Sequence, residues 1–122
     1  MSSSKTLVLG ASLKPSRYSN KAILSLIKNG HQVLAVGNKR GITHQINVTD
    51  TFPDSISDID TVTLYLNAKN QKPYLRKILH LKPKRIIFNP GAENHELARI
   101  AKENNIQIIE GCTLVMLSLN QY

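Results

Sequence analysis

The chain has 122 residues and a mass of 13.6 kDa, which at roughly 150 residues per domain allows one domain and no second. With 41% hydrophobic residues it can bury a core without a disulfide or a structural metal. No run approaches the roughly 18 apolar residues that cross a bilayer, Met1-Ser2-Ser3-Ser4-Lys5 lacks the apolar stretch of a secretion signal, and Cys112 has no cysteine partner. The expectation is a single cytoplasmic domain over residues 1–122, away from membranes.

The net charge of +8 is unevenly spread. Residues 1–49 hold seven bases and no acid, residues 50–60 hold four aspartates, and residues 61–92 hold seven bases and no acid. Two basic blocks flanking an acidic strip favour an anionic partner, a small phosphorylated ligand or nucleic acid. Nucleic acid is disfavoured, because the six aromatics Tyr18, Phe52, Tyr65, Tyr74, Phe88 and Tyr122 form no interleaved basic and aromatic surface motif.

In chain order, Thr6-Leu7-Val8-Leu9 is a short apolar run ending at Gly10 and reads as a buried strand. After a polar turn from Ser12 to Arg17, the stretch Tyr18 to Asn29 places Ala22 or Ile23, Leu26 and Ile27 at helical spacing, with Gly30 positioned to end the helix. Gln32 to Val36 is a second strand. Residues 37–60 lack helical periodicity, contain Gly37, Gly41 and Pro53, and read as a wandering connection with a minor strand near Ile46 to Val48. Thr61 to Leu66 is the third main strand, followed by a helix capped by Asn70 and ended by Pro83. Arg85 to Phe88 is a strand, Glu93 to Asn104 a helix, and Ile106 to Ile109 the last strand. Short apolar strands alternating with amphipathic helices predict a compact α/β domain, a doubly wound parallel sheet of about five strands in the order 3-2-1-4-5.

Sheets of this kind bind ligands beyond the carboxyl ends of their strands. In the first loop, Gly10 permits a tight turn, Ser12, Ser16 and Ser19 offer hydroxyls, and Lys14 and Arg17 offer charge beside a helix start, a combination suited to phosphate. The pattern G-x-G-x-x-G is absent, as is a P-loop, and residues 37–40 read Gly-Asn-Lys-Arg where a ribose-binding acid would stand. NAD is thus disfavoured, while Lys39 and Arg40 suit NADP or a 3′-phosphorylated adenosine. Asn67 and the exit Asn89-Pro90-Gly91 form a second candidate edge, with both asparagines equally suited to turns and caps. His31, His44, His80 and His95 are isolated in sequence, and no pattern predicts a metal site or a catalytic residue. Cys112 reads as packing more readily than as a nucleophile.

The pattern Gly10-Ala11-Ser12, Pro15, Tyr18-Ser19, Gly30-His31, Val33 to Val36, Asp60-Thr61-Val62, Asn89 to Asn94 and Asn105 to Cys112 resembles the small stand-alone CoA-binding proteins. These are similar to the N-terminal nucleotide-binding domain of the succinyl-CoA synthetase alpha subunit. The resemblance implies a Rossmann-like domain with CoA or an acyl-CoA as the ligand. Gly10, Ala11, Ser12, Arg17, Tyr18 and Ser19 would face the diphosphate, and Val36, Gly37 and Lys39 would approach the adenosine. Tyr65, Leu66 and Asn67 would stand at the third-strand exit, opposite Asn89, Pro90 and Gly91. The chain departs from relatives at Val36-Gly37-Asn38-Lys39, where a Val-Asn-Pro-like exit is usual. The phosphorylated-histidine domain of the synthetases has no counterpart here, so the implied function is noncatalytic binding in sensing, delivery or regulation. An NADP-dependent enzyme or another nucleotide-cofactor protein is the alternative, and a protein partner or a homo-oligomer is left open.

Overall fold

Leu7, Val8 and Leu9 form an apolar run with no polar alternation, and in the computed structural model the reason is that this strand is covered on both faces. The structure describes residues 4–52 and 56–122; Met1-Ser2-Ser3, and Pro53 of the connection over residues 37–60, lie outside the described residues. Strand β1 (Lys5–Ala11) pairs in parallel with β2 (Gln32–Gly37) on one edge and with β5 (Thr61–Leu64) on the other. Beyond β5 come β6 (Arg85–Phe88) and β7 (Gln107–Glu110), both parallel. Beyond β2 lies β4 (Ile46–Thr49), parallel, and then β3 (Gly41–Thr43), antiparallel to β4.

The sheet therefore has seven strands in the order β3-β4-β2-β1-β5-β6-β7, which corrects the expected five strands in the order 3-2-1-4-5. That order would have put the strand beginning at Thr61 outside β2. Burial explains why it is elsewhere: all four residues of β5 are buried, so its backbone needs a partner on each edge, and it takes β1 and β6. Only Val48 of β4 is buried, which suits a strand near the rim. Within the connection read as wandering, residues 41–49 form a β3–β4 hairpin, and β4 takes in the minor strand expected near Ile46 to Val48.

Two layers of helix sandwich the sheet. On one face α1 (Tyr18–Lys28) contributes Ile23 and Leu26, which pack with Val8, Ala35, Val48 and Leu117 of α5 (Thr113–Ser118). On the other, α3 (Leu75–Leu81) and α4 (His95–Glu103) bury Ile78, Leu97 and Ala101 against Leu7, Leu9, Val62 and Phe88. α1 ends as the sequence predicts. Gly30 adopts φ +83°, its N–H donates to Ile27 O, and His31 N–H donates to Leu26 O, satisfying carbonyls that the last turn leaves free.

Two helical details differ from expectation. The segment after β5 is a short α2 (Ala68–Gln71), a 3-10 turn (Lys72–Tyr74) and then α3, and its cap is Asn67, whose Oδ1 accepts from Asn70 N–H at 2.9 Å. Asn70 is thus the residue capped, because the side chain must precede the amide that it serves. α5 was not expected at all; at six residues it is too short to show a helical period, and Cys112 at its start makes no side-chain cap.

Candidate functional site at the carboxyl edge

Three strand exits meet backbone to backbone. Gly10 has φ +95°, and a Cβ there would stand 2.9 Å from the Tyr65 carbonyl carbon, so a glycine lets the β1 exit lie against the β5 exit. On the other side Ala11 pairs with Gly37, where a Cβ would fall 2.1 Å from Ala11 O. Gly10, Ala11, Val36, Gly37, Tyr65 and Leu66 are therefore brought together by strand pairing.

The chain then turns outward. Lys14 N–H donates to Ser12 Oγ at 3.1 Å, and Arg17 N–H donates to Lys14 O at 3.1 Å, closing the loop over residues 12–17. Lys14, Arg17 and Tyr18 are exposed while Ser19 is buried. α1 begins at this loop with no acidic residue in its first turn and no side-chain cap from Arg17. The positive end of its dipole and two exposed cations thus share one edge, a setting that attracts an anion. Lys39 is exposed on the neighbouring loop, and Leu13 packs on Gly41 so closely that a Cβ at 41 would meet Leu13 Cδ1 at 2.6 Å. Arg40 lies 3.9 Å from Asp50, an exposed pair of small energetic value that leaves the guanidinium largely in water.

The edge beyond β5 is built differently. Asn89 is buried, and its amide is fully engaged within the protein: Nδ2 donates to Thr63 Oγ1 at 2.7 Å and Leu64 O at 2.9 Å, and Oδ1 accepts from Thr113 N–H at 2.9 Å. Asn67 is exposed and uses its Oδ1 for the cap. Pro90 and Gly91 are exposed; Gly91 has φ +92° and its N–H donates to Glu93 Oε1 at 3.0 Å. Of this exit, the exposed backbone at Pro90-Gly91 faces solvent while the Asn89 side chain holds the scaffold.

Two buried amides that sequence reasoning passed over organise this edge. Asn20 joins the first loop to the β3–β4 hairpin, with Nδ2 donating to Ser12 O and Thr43 Oγ1 at 2.9 Å each. Gln71, fully buried, donates to Leu66 O and Ala92 O at 2.7 Å each and accepts from Asn94 Nδ2 at 2.8 Å, joining the exits of β5 and β6. Each falls on the apolar stripe of its segment, Asn20 three before Ile23 and Gln71 seven before Ile78, so an amide in register with a buried face was the available signal.

The Tyr65 hydroxyl is buried near the Thr113 and Thr63 hydroxyls but makes no hydrogen bond of good geometry with either. Burial pushes its pKa up to about 12, with the neighbouring Thr113 and Thr63 hydroxyls acting in the opposite direction. It is therefore a neutral phenol at any physiological pH. Two concavities, of about 630 and 620 Å³, lie elsewhere; neither is lined by the loop after β1 or by Asn89-Pro90-Gly91. No helix among the described residues is long and apolar enough to cross a membrane.

Residues 4–118, nearly the whole chain, match the family described as CoA binding domain. The chain belongs to the CoA-binding domain family. That membership supports CoA or an acyl-CoA as the ligand and agrees with a nucleotide-binding α/β domain. No curated protein matches. Among solved structures, a CoA-binding-domain chain like this one is similar to an uncharacterized protein at 45% identity and TM-score 0.95, covering all of both chains. A Thermus thermophilus protein is 20% identical with TM-score 0.86, covering 98% of this chain and 91% of that one. A hypothetical protein from Pyrococcus horikoshii OT3 is 23% identical with TM-score 0.86, over 96% and 83% of the two chains. The last two likenesses show a shared fold.

Proposed function

We propose that this CoA-binding domain holds CoA or an acyl-CoA at the carboxyl edge without transforming it, as a sensor, carrier or regulator of another protein. The diphosphate lies over the loop Gly10 to Ser19, and the adenosine lies toward Val36-Gly37 and Lys39. The observation that carries this reading is the uncapped start of α1 beside exposed Lys14 and Arg17, held against the β5 exit by Gly10. The departure Val36-Gly37-Asn38-Lys39 fits the same reading. Gly37 is required by the approach of Ala11 O, and Lys39 supplies a cation to a 3′-phosphate.

The resemblance to the nucleotide-binding domain of the succinyl-CoA synthetase alpha subunit supports the same placement. The noncatalytic assignment rests on the scaffold roles of the polar side chains near the edge. Asn89 and Gln71 are saturated by internal hydrogen bonds, and the buried Tyr65 phenol stays protonated, so none of the three offers a base to a bound ligand. Calorimetric titration with CoA, dephospho-CoA, acetyl-CoA, NADP, NAD and ATP tests it. CoA and acetyl-CoA should bind more tightly than dephospho-CoA, and acetyl-CoA should be recovered intact. Preference for NADP, or release of free CoA from acetyl-CoA above a heat-denatured control, would reject it.

A further inference from the structure

The hairpin between β3 and β4 carries a conformational cost that its own strands do not explain. Thr43 pairs with Ile46, so His44 and Gln45 form a two-residue loop, with φ 51° and 66°. A loop with both central residues left-handed favours Asn-Gly or Gly-Gly, and side chains such as these are strained there. His44 nevertheless has a specific engagement: its Nε2 lies 2.7 Å from Asn20 Oδ1.

The chemistry of Asn20 determines which way that bond runs. Its other amide atom must be the nitrogen, since it faces the carbonyl of Ser12 at 2.9 Å and the Thr43 hydroxyl at 2.9 Å. Oδ1 is then an acceptor, and His44 Nε2 carries the hydrogen. Asn20 is 1% exposed, so its amide has no water as a ready substitute for these partners, although Ser12, Thr43 and His44 are themselves half-buried. The chain of contacts runs from the hairpin tip through Asn20 to the backbone of the first loop.

We propose that His44 and Asn20 are a positioning pair for the first loop: the imidazole holds the Asn20 amide, which holds the Ser12 carbonyl and so presets the loop for an anionic ligand. The inference rests on the ligand reading above. It explains why strained residues occupy the turn, since glycine at 44 would relax the backbone and release the amide.

Glycine is therefore the informative substitution. A purely structural role for His44 would change stability and leave CoA affinity unaltered, whereas the positioning role lowers affinity in a protein that remains folded. His44→Gly relieves the left-handed strain but leaves the buried Asn20 Oδ1 without its donor, so it should melt close to the wild-type temperature, and it should bind CoA roughly three- to tenfold more weakly, the scale of one lost hydrogen bond. His44→Gln, which retains a donor where Nε2 stands, should bind CoA within about twofold of wild type. Hydrogen exchange at the Lys14 and Arg17 amides supplies a readout without ligand, and should be faster in His44→Gly than in wild type. Wild-type CoA affinity in His44→Gly, or unchanged exchange at both amides, would overturn the proposal. Failure of the wild-type protein to bind CoA, with exchange still faster in His44→Gly, would instead reject the ligand reading while supporting the pair.

Discussion

Asn89 donates a 2.7 Å hydrogen bond to the hydroxyl of Thr63 on the neighbouring strand, and that hydroxyl in turn lies 2.7 Å from the hydroxyl of Thr113 at the start of α5. The same amide takes the Thr113 N–H and reaches Leu64 O, so one side chain ties β5, β6 and α5 together. A residue at a strand exit, where a ligand contact was expected, thus closes the scaffold from within.

Replacing Asn89 with alanine leaves the Thr113 amide and the Leu64 carbonyl buried without their partner. The expected loss is about 3 kcal/mol of unfolding free energy, read by urea denaturation. CoA affinity measured on the folded protein should change less than about twofold. A stability loss below about 1 kcal/mol with a large fall in affinity would make Asn89 a ligand contact.

Tyr65→Phe should go the other way. The phenol is buried without a hydrogen-bond partner, and removing an unsatisfied hydroxyl costs nothing and can stabilise. Unfolding free energy should be unchanged or higher by up to about 1 kcal/mol. A clear destabilisation would show that the hydroxyl is satisfied in solution.

Two glycines separate close approach from backbone strain. Gly37→Ala must displace the Ala11 carbonyl, 2.1 Å from the added Cβ, and should cost about 3 kcal/mol. Gly91→Ala meets no atom within 4 Å and suffers only from its φ of +92°, so about 1–2 kcal/mol is expected. Equal losses in the two variants would contradict the backbone packing of β1 against β2.

His31 makes stability depend on pH. Burial lowers its pKa from 6.5, the Arg85 charge lowers it further, and Asp60 opposes both. Because the folded protein holds the proton less tightly than the unfolded chain, the contribution is complete above 6.5 and is lost as pH falls through the folded pKa. The unfolding midpoint in urea should therefore fall between about pH 7 and pH 5, and His31→Gln should reduce that fall. An identical pH profile in the variant would rule out His31 as the source.

Much of the layer structure was legible because it depends on local patterns. The apolar run Leu7 to Leu9, the stripe Ile23 and Leu26, and Gly30 beyond the helix each state their own environment. Strand order was not legible in the same way, since whether Thr61 to Leu64 lies beside β1 or β2 depends on edges that only form together. The hairpin was hidden because His44-Gln45 stands where Asn-Gly would announce a turn. At the edge, the glycines and basic residues of the first loop were visible as residue types. The inward commitment of Asn89, Asn20 and Gln71 was not, because an amide reads alike whether it meets a ligand or a neighbouring carbonyl.

Amide shift mapping during titration of the 15N-labelled protein with CoA tests the location of the ligand most directly. The largest changes are expected at Gly10, Ser12, Arg17 to Ser19, Gly37 and Lys39, with Asn89 little affected. Saturable changes confined to the concavity at Arg76, Lys77 and His80, or no saturable change, would contradict binding at the first loop.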